Sequence, residues 1–339
     1  MSESAFARLE QDMEAFKKTS VLAALAELDV ATRLLQGGNA MTASELAKAC
    51  ACDERGMEAL LDALGGLKYL AKENGKYSVP EDLQDALDSR SPTTCIPIMR
   101  HYACLQRSWS HLAWSVREGT PRPHEPSILG AEEDRVSFIM GMNSVATRLV
   151  KGVVDSLLAC GVFPLPAGSV ILDIGGASGT YTEAFLKALP DTRAVLFDLP
   201  DAVVQAHKRF DPSPLAGRVQ LVAGDFTRDD LPAGCDFAWI SAIIHQMSRA
   251  ESRSLYKKAL AALNPGGLVA IRDFVVDETR TSPVAGTLFA VNMLVNTETG
   301  RVYSLSEISE DLAAAGFAEA RLAVDVPSMC AIVTARKPA

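Results

Sequence analysis

From Ser169 onward the chain alternates short apolar runs with helical stretches, and no other feature of the sequence limits its fold as strongly. The runs are SVILDIG, TRAVLFDLP, VQLVAGDF, CDFAWISAI and GGLVAIRDFVV, with segments such as YTEAFLKAL and AESRSLYKKALAAL between them. Apolar runs of strand length in this rhythm predict a parallel sheet covered by helices on both faces. The last two runs, ARLAVDVP and MCAIVTARK, follow one another directly and predict an antiparallel hairpin that ends the sheet.

The part before Ser169 has a different texture. Residues 13–35 carry apolar positions at helical spacing (Val21, Leu22, Leu25, Leu28) and predict one helix. Thr42-x-x-Glu45 has the form of a capping box ahead of a short helix. Asp53 is placed to cap a further helix that runs to Leu64, with Gly65-Gly66 ending it. Leu67–Lys72 and Lys76–Val79 flank a Glu73-Asn74-Gly75 turn, the signal of a hairpin. Three helices followed by a hairpin make a winged-helix pattern. Residues 95–118 and 131–160 predict further helices, separated by a loop rich in proline (Pro121, Pro123, Pro126).

A winged helix often binds DNA, and charge argues against that here. The formal net charge of the 339 residues is −9, which disfavours nucleic acid and anionic membrane alike. The helix that would enter a groove carries Asp53, Glu54, Glu58 and Asp62 against Arg55 alone, and would repel phosphates. This module is better read as an interaction or dimerisation domain. The opening residues MSESAFARLEQDMEAFKK are charged throughout, so no signal peptide is expected, and no apolar run is long enough to span a membrane. The 7 cysteines are odd in number and irregular in spacing, which suits a reducing cytoplasm rather than a disulfide framework.

Asp173-Ile174-Gly175-Gly176-Ala177-Ser178-Gly179 follows the first strand of the alternating region and precedes a helix. A glycine turn here lets a ligand approach the backbone at a helix N-terminus. The dinucleotide spacing would need glycines at 175, 177 and 180, where the chain has Gly175, Ala177 and Thr180. The acidic residue in front would repel a pyrophosphate and suits a ligand with an ammonium group and no phosphate; S-adenosylmethionine is such a ligand. Asp198 follows at the end of the second strand, where an acid can accept from ribose hydroxyls. Asp225 and Phe226 end the third, placed for an adenine amino group and ring.

The chain resembles the class I S-adenosylmethionine-dependent methyltransferases, and within them the small-molecule O-methyltransferases of the caffeic acid, hydroxyneurosporene and acetylserotonin type. The resemblance runs through the winged-helix-like start, DIGGASG, FDLP, GDF, IIHQM, NPGG, DLAAAGF and the closing hairpin, in matching order and spacing. It implies an α/β fold: a Rossmann-like doubly wound sheet with a C-terminal antiparallel hairpin, preceded by an α-helical winged-helix-like dimerisation domain. The division expected is 1–118 for the dimerisation domain with its linker helix and 119–339 for the catalytic domain. The implied cofactor is S-adenosylmethionine, leaving as S-adenosylhomocysteine. The implied assembly is a homodimer through the N-terminal domain. Metal-dependent O-methyltransferases use a carboxylate cluster, and none with suitable spacing stands out, so no metal is expected.

Carried over residue by residue, the resemblance gives cofactor contacts at Asp173, Gly175, Gly176, Gly179, Asp198, Leu199, Asp225, Phe226 and Ser241. It gives His245 as general base, with Asp273 to hold its imidazole. The chemistry agrees, since a phenol is a weak nucleophile at neutral pH and a positioned imidazole that removes its proton is worth roughly 10²–10⁴-fold. The family's Asp and Trp after the histidine are Gln246 and Met247 here, its cofactor-holding Lys is Ser241, and a second orienting carboxylate falls near Val302. For the acceptor it points to Met142 and Asn143, and to Phe289, Asn292, Met293 and Asn296. Such a pocket suits a small hydroxylated compound, aromatic or polyketide-like. The departures keep a second reading open: a family member that binds the cofactor and catalyses another reaction on a natural-product substrate.

Overall fold

The computed structural model describes residues 4–339 as two compact units. The sequence predicts one boundary, at residue 118. The units instead interleave, because His111–Arg122 groups with Ala146–Ala339 and Pro123–Val145 groups with the residues up to Ser110.

In the first unit the expected opening helix is two, α1 (Ala5–Glu27) and α2 (Val30–Gln36), broken where Asp29 takes a left-handed φ of 53°. Then come α3 (Ala43–Ala49) and α4 (Glu54–Gly66). Thr42 and Glu45 form the capping box, and the Asp53 carboxylate accepts from the Gly56 N–H. α4 ends at Gly66, so Gly65 and Gly66 are its last two residues, and the left-handed residue beyond them is Lys68. Strands β1 (Ala71–Glu73) and β2 (Lys76–Ser78) pair around Asn74-Gly75, both at positive φ, which is the geometry of a tight two-residue hairpin turn. They are shorter than the sequence runs. α5 (Gln84–Leu87) and α6 (Ile96–Trp109) complete a core built on Leu25, Val30, Leu34, Leu46, Met57 and Tyr77.

Next in the chain are α7 (Leu112–Glu118) and α8 (Ala131–Ala159). The strands and helices that follow are β3 (Val170–Ile174), α9 (Thr180–Ala188), β4 (Arg193–Asp198), α10 (Pro200–Phe210), β5 (Val219–Ala223), β6 (Cys235–Ser241), α11 (Arg249–Ala262) and β7 (Leu263–Asp273). The short β8 (Val275–Val276), α12 (Val284–Asn296), β9 (Tyr303–Ser304), α13 (Leu305–Ala315), β10 (Ala318–Val324) and β11 (Ala331–Arg336) close the chain. The main sheet has the order β10-β11-β7-β6-β3-β4-β5. Strands β7 to β5 in that order are parallel, and β11 and β10 are antiparallel, as the closing hairpin required. Side chains alternate between the faces with the period of two of a strand. Leu172, Ile174, Ala238, Ile240, Val269 and Ile271 pack on one side with Leu255, Tyr256, Ile308 and Leu312 of α11 and α13. Ile171, Phe237, Trp239 and Ala270 pack on the other with Leu157, Tyr181, Phe185 and Leu186 of α8 and α9.

The chain order reverses between β3 and β6: β4 and β5 lie on one side of β3, β6 and β7 on the other. Ligands of open α/β sheets bind at such a switch point, outside the carboxyl ends of the strands. All seven cysteines are free thiols. Among the described residues no helix is long and apolar enough to cross a membrane.

Candidate active site

The glycine turn leaves β3 at the switch point. Gly175, Ala177 and Gly179 all have positive φ, at 70°, 49° and 82°. A side chain at Gly175 would put its Cβ 2.5 Å from Ile243 Cδ1, and one at Gly179 would stand 2.4 Å from the Phe210 ring. The turn is therefore glycine-rich for two reasons, left-handed backbone and close seating on β4, α10 and the loop after β6. Phe226 lies alongside, its ring edge 3.8 Å from the Gly175 Cβ position.

The three strand-end carboxylates have different surroundings. Asp173 is 2% exposed, beneath Gly176, and accepts from the Thr182 hydroxyl. Burial, with Asp198 nearby, lifts its carboxyl to about 7. Asp198 accepts the Ala177 N–H at 2.7 Å and the Leu199 N–H at 2.6 Å, so it clamps the glycine turn to the end of β4. Burial raises its carboxyl too, against those two bonds. The clamp uses one lone pair of each oxygen and leaves the others to accept. Asp225 accepts from the hydroxyl and N–H of Thr227, which hold its carboxyl below the ordinary value. Leu199 is exposed and Phe226 half-buried. Lys258 donates to the Phe226 and Asp229 carbonyls and so fixes that loop.

Beside the turn, β6 runs into a single helical turn, residues 244–246, that presents His245. The imidazole is 6% exposed, with Nδ1 2.9 Å from both oxygens of Asp273, which is itself 1% exposed. Asp273 Oδ1 also accepts the Phe274 N–H at 2.8 Å, and its Oδ2 faces the His245 N–H at 3.4 Å. A carboxylate only accepts, so Nδ1 carries the proton and Nε2 offers its lone pair. The Phe289 ring stands edge-on to the imidazole, centroids 4.9 Å apart at 90°. The loop after α12 holds the histidine from behind: Arg301 N–H donates to the His245 carbonyl at 2.8 Å, and Gly300 approaches that carbonyl too closely for any Cβ.

This donor and acceptor set fits a nucleoside bearing hydroxyls and an amino-acid end, with no phosphate. Among the described residues no three His, Cys, Asp or Glu side chains are grouped so as to hold a metal ion. On α12, Phe289 and Asn292 are half-buried, Met293 is buried, and exposed Asn296 bonds back to Asn292. On α8, in the first unit, Met142 is exposed and Asn143 half-buried.

Comparison with known proteins decides the family. An O-methyltransferase domain matches residues 109–318, and an O-methyltransferase dimerisation domain matches residues 11–81. The chain belongs to the O-methyltransferase family. The likeness read from its motifs, to S-adenosylmethionine-dependent small-molecule O-methyltransferases, is borne out, and the chain is an enzyme of that class. Acetylserotonin O-methyltransferase of Gallus gallus is 31% identical over 91% of this chain and 90% of its own length. The tetracenomycin polyketide synthesis 8-O-methyl transferase TcmO of Streptomyces glaucescens is 30% identical, covering 96% and 94%. Among solved structures, human N-acetylserotonin methyltransferase in complex with SAM superposes with a TM-score of 0.82 at 26% identity, covering 100% and 99%.

The departures from the family pattern now have surroundings. Gln246 is exposed, its side chain turned toward the Ala242 carbonyl. Met247 is buried, and its carbonyl accepts from the Tyr303 hydroxyl. Val302 is buried at 4% exposure, and among the described residues Asp273 is the carboxylate bonded to the His245 ring. Ser241 of this O-methyltransferase accepts from the Arg272 guanidinium at 2.7 Å. Sequence reasoning missed Arg272, Gly300 and the clamp by Asp198. Arg272 had a signal, a charge inside the apolar run GGLVAIRDFVV.

Proposed function

We propose that this enzyme transfers the methyl group of S-adenosylmethionine to a hydroxyl of a small aromatic or polyketide-like acceptor, with His245 as general base. The observation that carries the reading is the buried His245–Asp273 pair beside the glycine turn, with Nδ1 protonated and Nε2 without a partner among the described residues. The cofactor would supply a sulfonium methyl, already activated for transfer to oxygen. The chain's own residues would do the rest. Asp173, Gly175, Gly176 and Gly179 would receive the amino-acid end, Asp198 and Leu199 the ribose side, and Asp225 and Phe226 the adenine, with Ser241 beside them. Nε2 would take the hydroxyl proton as the oxygen attacks, and Asp273 would stabilise the resulting imidazolium and keep the ring from turning. Holding oxygen and methyl in line supplies the larger part of the acceleration.

Phe289, Asn292, Met293 and Asn296 from α12 are proposed to meet the acceptor. The two relatives named above act, by their names, on acetylserotonin and in tetracenomycin polyketide synthesis. We propose a homodimer through the dimerisation domain. Phe6, Leu9, Met13 and Phe16 of α1 follow helical spacing and are 74%, 58%, 75% and 57% exposed, a stripe that a second copy would cover.

The test is incubation with methyl-labelled S-adenosylmethionine and a panel of phenols and hydroxylated polyketides. Label should move to oxygen in at least one of them. Tight cofactor binding with no transfer to any hydroxyl would favour the other reading, catalysis of a different reaction.

A further inference from the structure

Strand β7 ends by presenting neighbouring charges to opposite faces. Asp273 faces the histidine side, and Arg272 faces the side of α9 and the glycine turn. Arg272 is 4% exposed, yet no carboxylate lies within ion-pair distance among the described residues. One of its nitrogens donates to Ser241, and its Nε has no partner. The guanidinium lies over the Tyr181 ring at 5.3 Å. The Tyr181 hydroxyl faces Ser241 without making a hydrogen bond, and the Trp239 indole N–H next to that ring is also unpartnered. A buried cation among idle donors is costly, and its natural complement is an anion from outside the chain.

The position says which anion. Ser241 and Arg272 are register partners at the carboxyl edge. Ile243, two residues past Ser241, touches the glycine turn, and Tyr181 is the second residue of the helix that the turn opens. Asp173 projects from the same face two strands away, about 10 Å in strand spacing. An acid and a guanidinium at that separation, reaching toward each other, match the two charges of an amino acid.

We propose that Arg272, with Ser241 and Tyr181, binds the carboxylate of the cofactor's amino-acid end, while Asp173 faces its ammonium. The assignment rests on the reading that the site takes S-adenosylmethionine. It gives the Ser241 departure a rationale: the cation is supplied from the neighbouring strand instead.

The test is calorimetric binding to the full-length protein, using S-adenosylhomocysteine and 5′-methylthioadenosine, which has the nucleoside and sulfur without the amino acid. Wild type should prefer S-adenosylhomocysteine. Arg272→Met should weaken S-adenosylhomocysteine about 10- to 100-fold and leave methylthioadenosine within about two-fold. Ser241→Ala, which removes the bond that aims the guanidinium, should act in the same direction more weakly and serves if R272M does not fold. Equal losses for both ligands, or none, would overturn the assignment. Unchanged S-adenosylhomocysteine binding with a raised KM for carboxylated acceptors alone would give the site to the acceptor and also overturn it. Wild type that binds neither ligand would instead sink the cofactor reading itself.

Discussion

Replacing Asp273 by Asn tests how the histidine is held. The side chain keeps its shape but has one acceptor oxygen in place of two. Phe274 N–H is bonded to Oδ1 at 2.8 Å, so an amide oxygen is best left there. The NH₂ then occupies the Oδ2 position, and the amide oxygen at Oδ1 also lies 2.9 Å from His245 Nδ1. That one oxygen must serve both the Phe274 N–H and Nδ1–H, with a donor pressed against the same ring nitrogen, so the working tautomer loses its clear preference. Loss of the carboxylate's support for the imidazolium adds to it, up to the roughly 10²–10⁴-fold that a general base contributes. The expected result is a kcat lower by about 10²-fold, with the Kd for S-adenosylhomocysteine unchanged, read from label-transfer kinetics and calorimetry. The double variant D273N/H245A should be no slower than H245A, because Asp273 acts through the histidine. A kcat for D273N within three-fold of wild type, or fully additive losses in the double variant, would refute the reasoning.

Further expectations concern the scaffold. Gly300→Ala would put a Cβ 2.6 Å from the His245 carbonyl, so the loop must shift and the imidazole with it. Turnover should fall about ten-fold or more while cofactor affinity holds, and equal turnover would show that the approach does not matter. Gly175→Ala combines a left-handed φ of 70° with a contact to Ile243. It should cost about 1–3 kcal/mol in thermal denaturation and weaken S-adenosylhomocysteine binding. Burial holds the Asp173 carboxyl at about 7, above its unfolded value, so the unfolded chain loses that proton first. Its contribution to stability therefore falls as pH rises from about 4 to 7, by on the order of 1.4 kcal/mol per pH unit at most, and is flat above. Asp173→Asn should remove that slope from a series of denaturation curves.

Much of this molecule was legible because its signals are local. The caps at Thr42 and Asp53, the Asn74-Gly75 turn and the alternation after Ser169 each depend on neighbours in sequence. The His245–Asp273 contact was legible through family likeness, since 28 residues separate the partners and no spacing rule joins them. What stayed hidden depends on long-range packing. Asp198 reads as a ribose acceptor, and nothing in FDLP says that it also pins the Ala177 N–H on the neighbouring loop. Gly300 is one glycine among 23, and its closeness to the His245 carbonyl exists only once the loop after α12 has folded back. The break at Asp29 lies inside an unbroken apolar period, where a left-handed residue carries no pattern of its own. The Gly65-Gly66 stop is again local, since α4 ends at Gly66.

His245 is proposed to remove the acceptor's proton during methyl transfer. Single-turnover transfer of labelled methyl by the cofactor-saturated His245→Ala variant, beside wild type and with the same acceptor, tests it most directly. The rate should be lower by about 10²–10⁴-fold with unchanged affinity for S-adenosylhomocysteine. A His245→Ala enzyme that transfers the methyl group at the wild-type rate would contradict it.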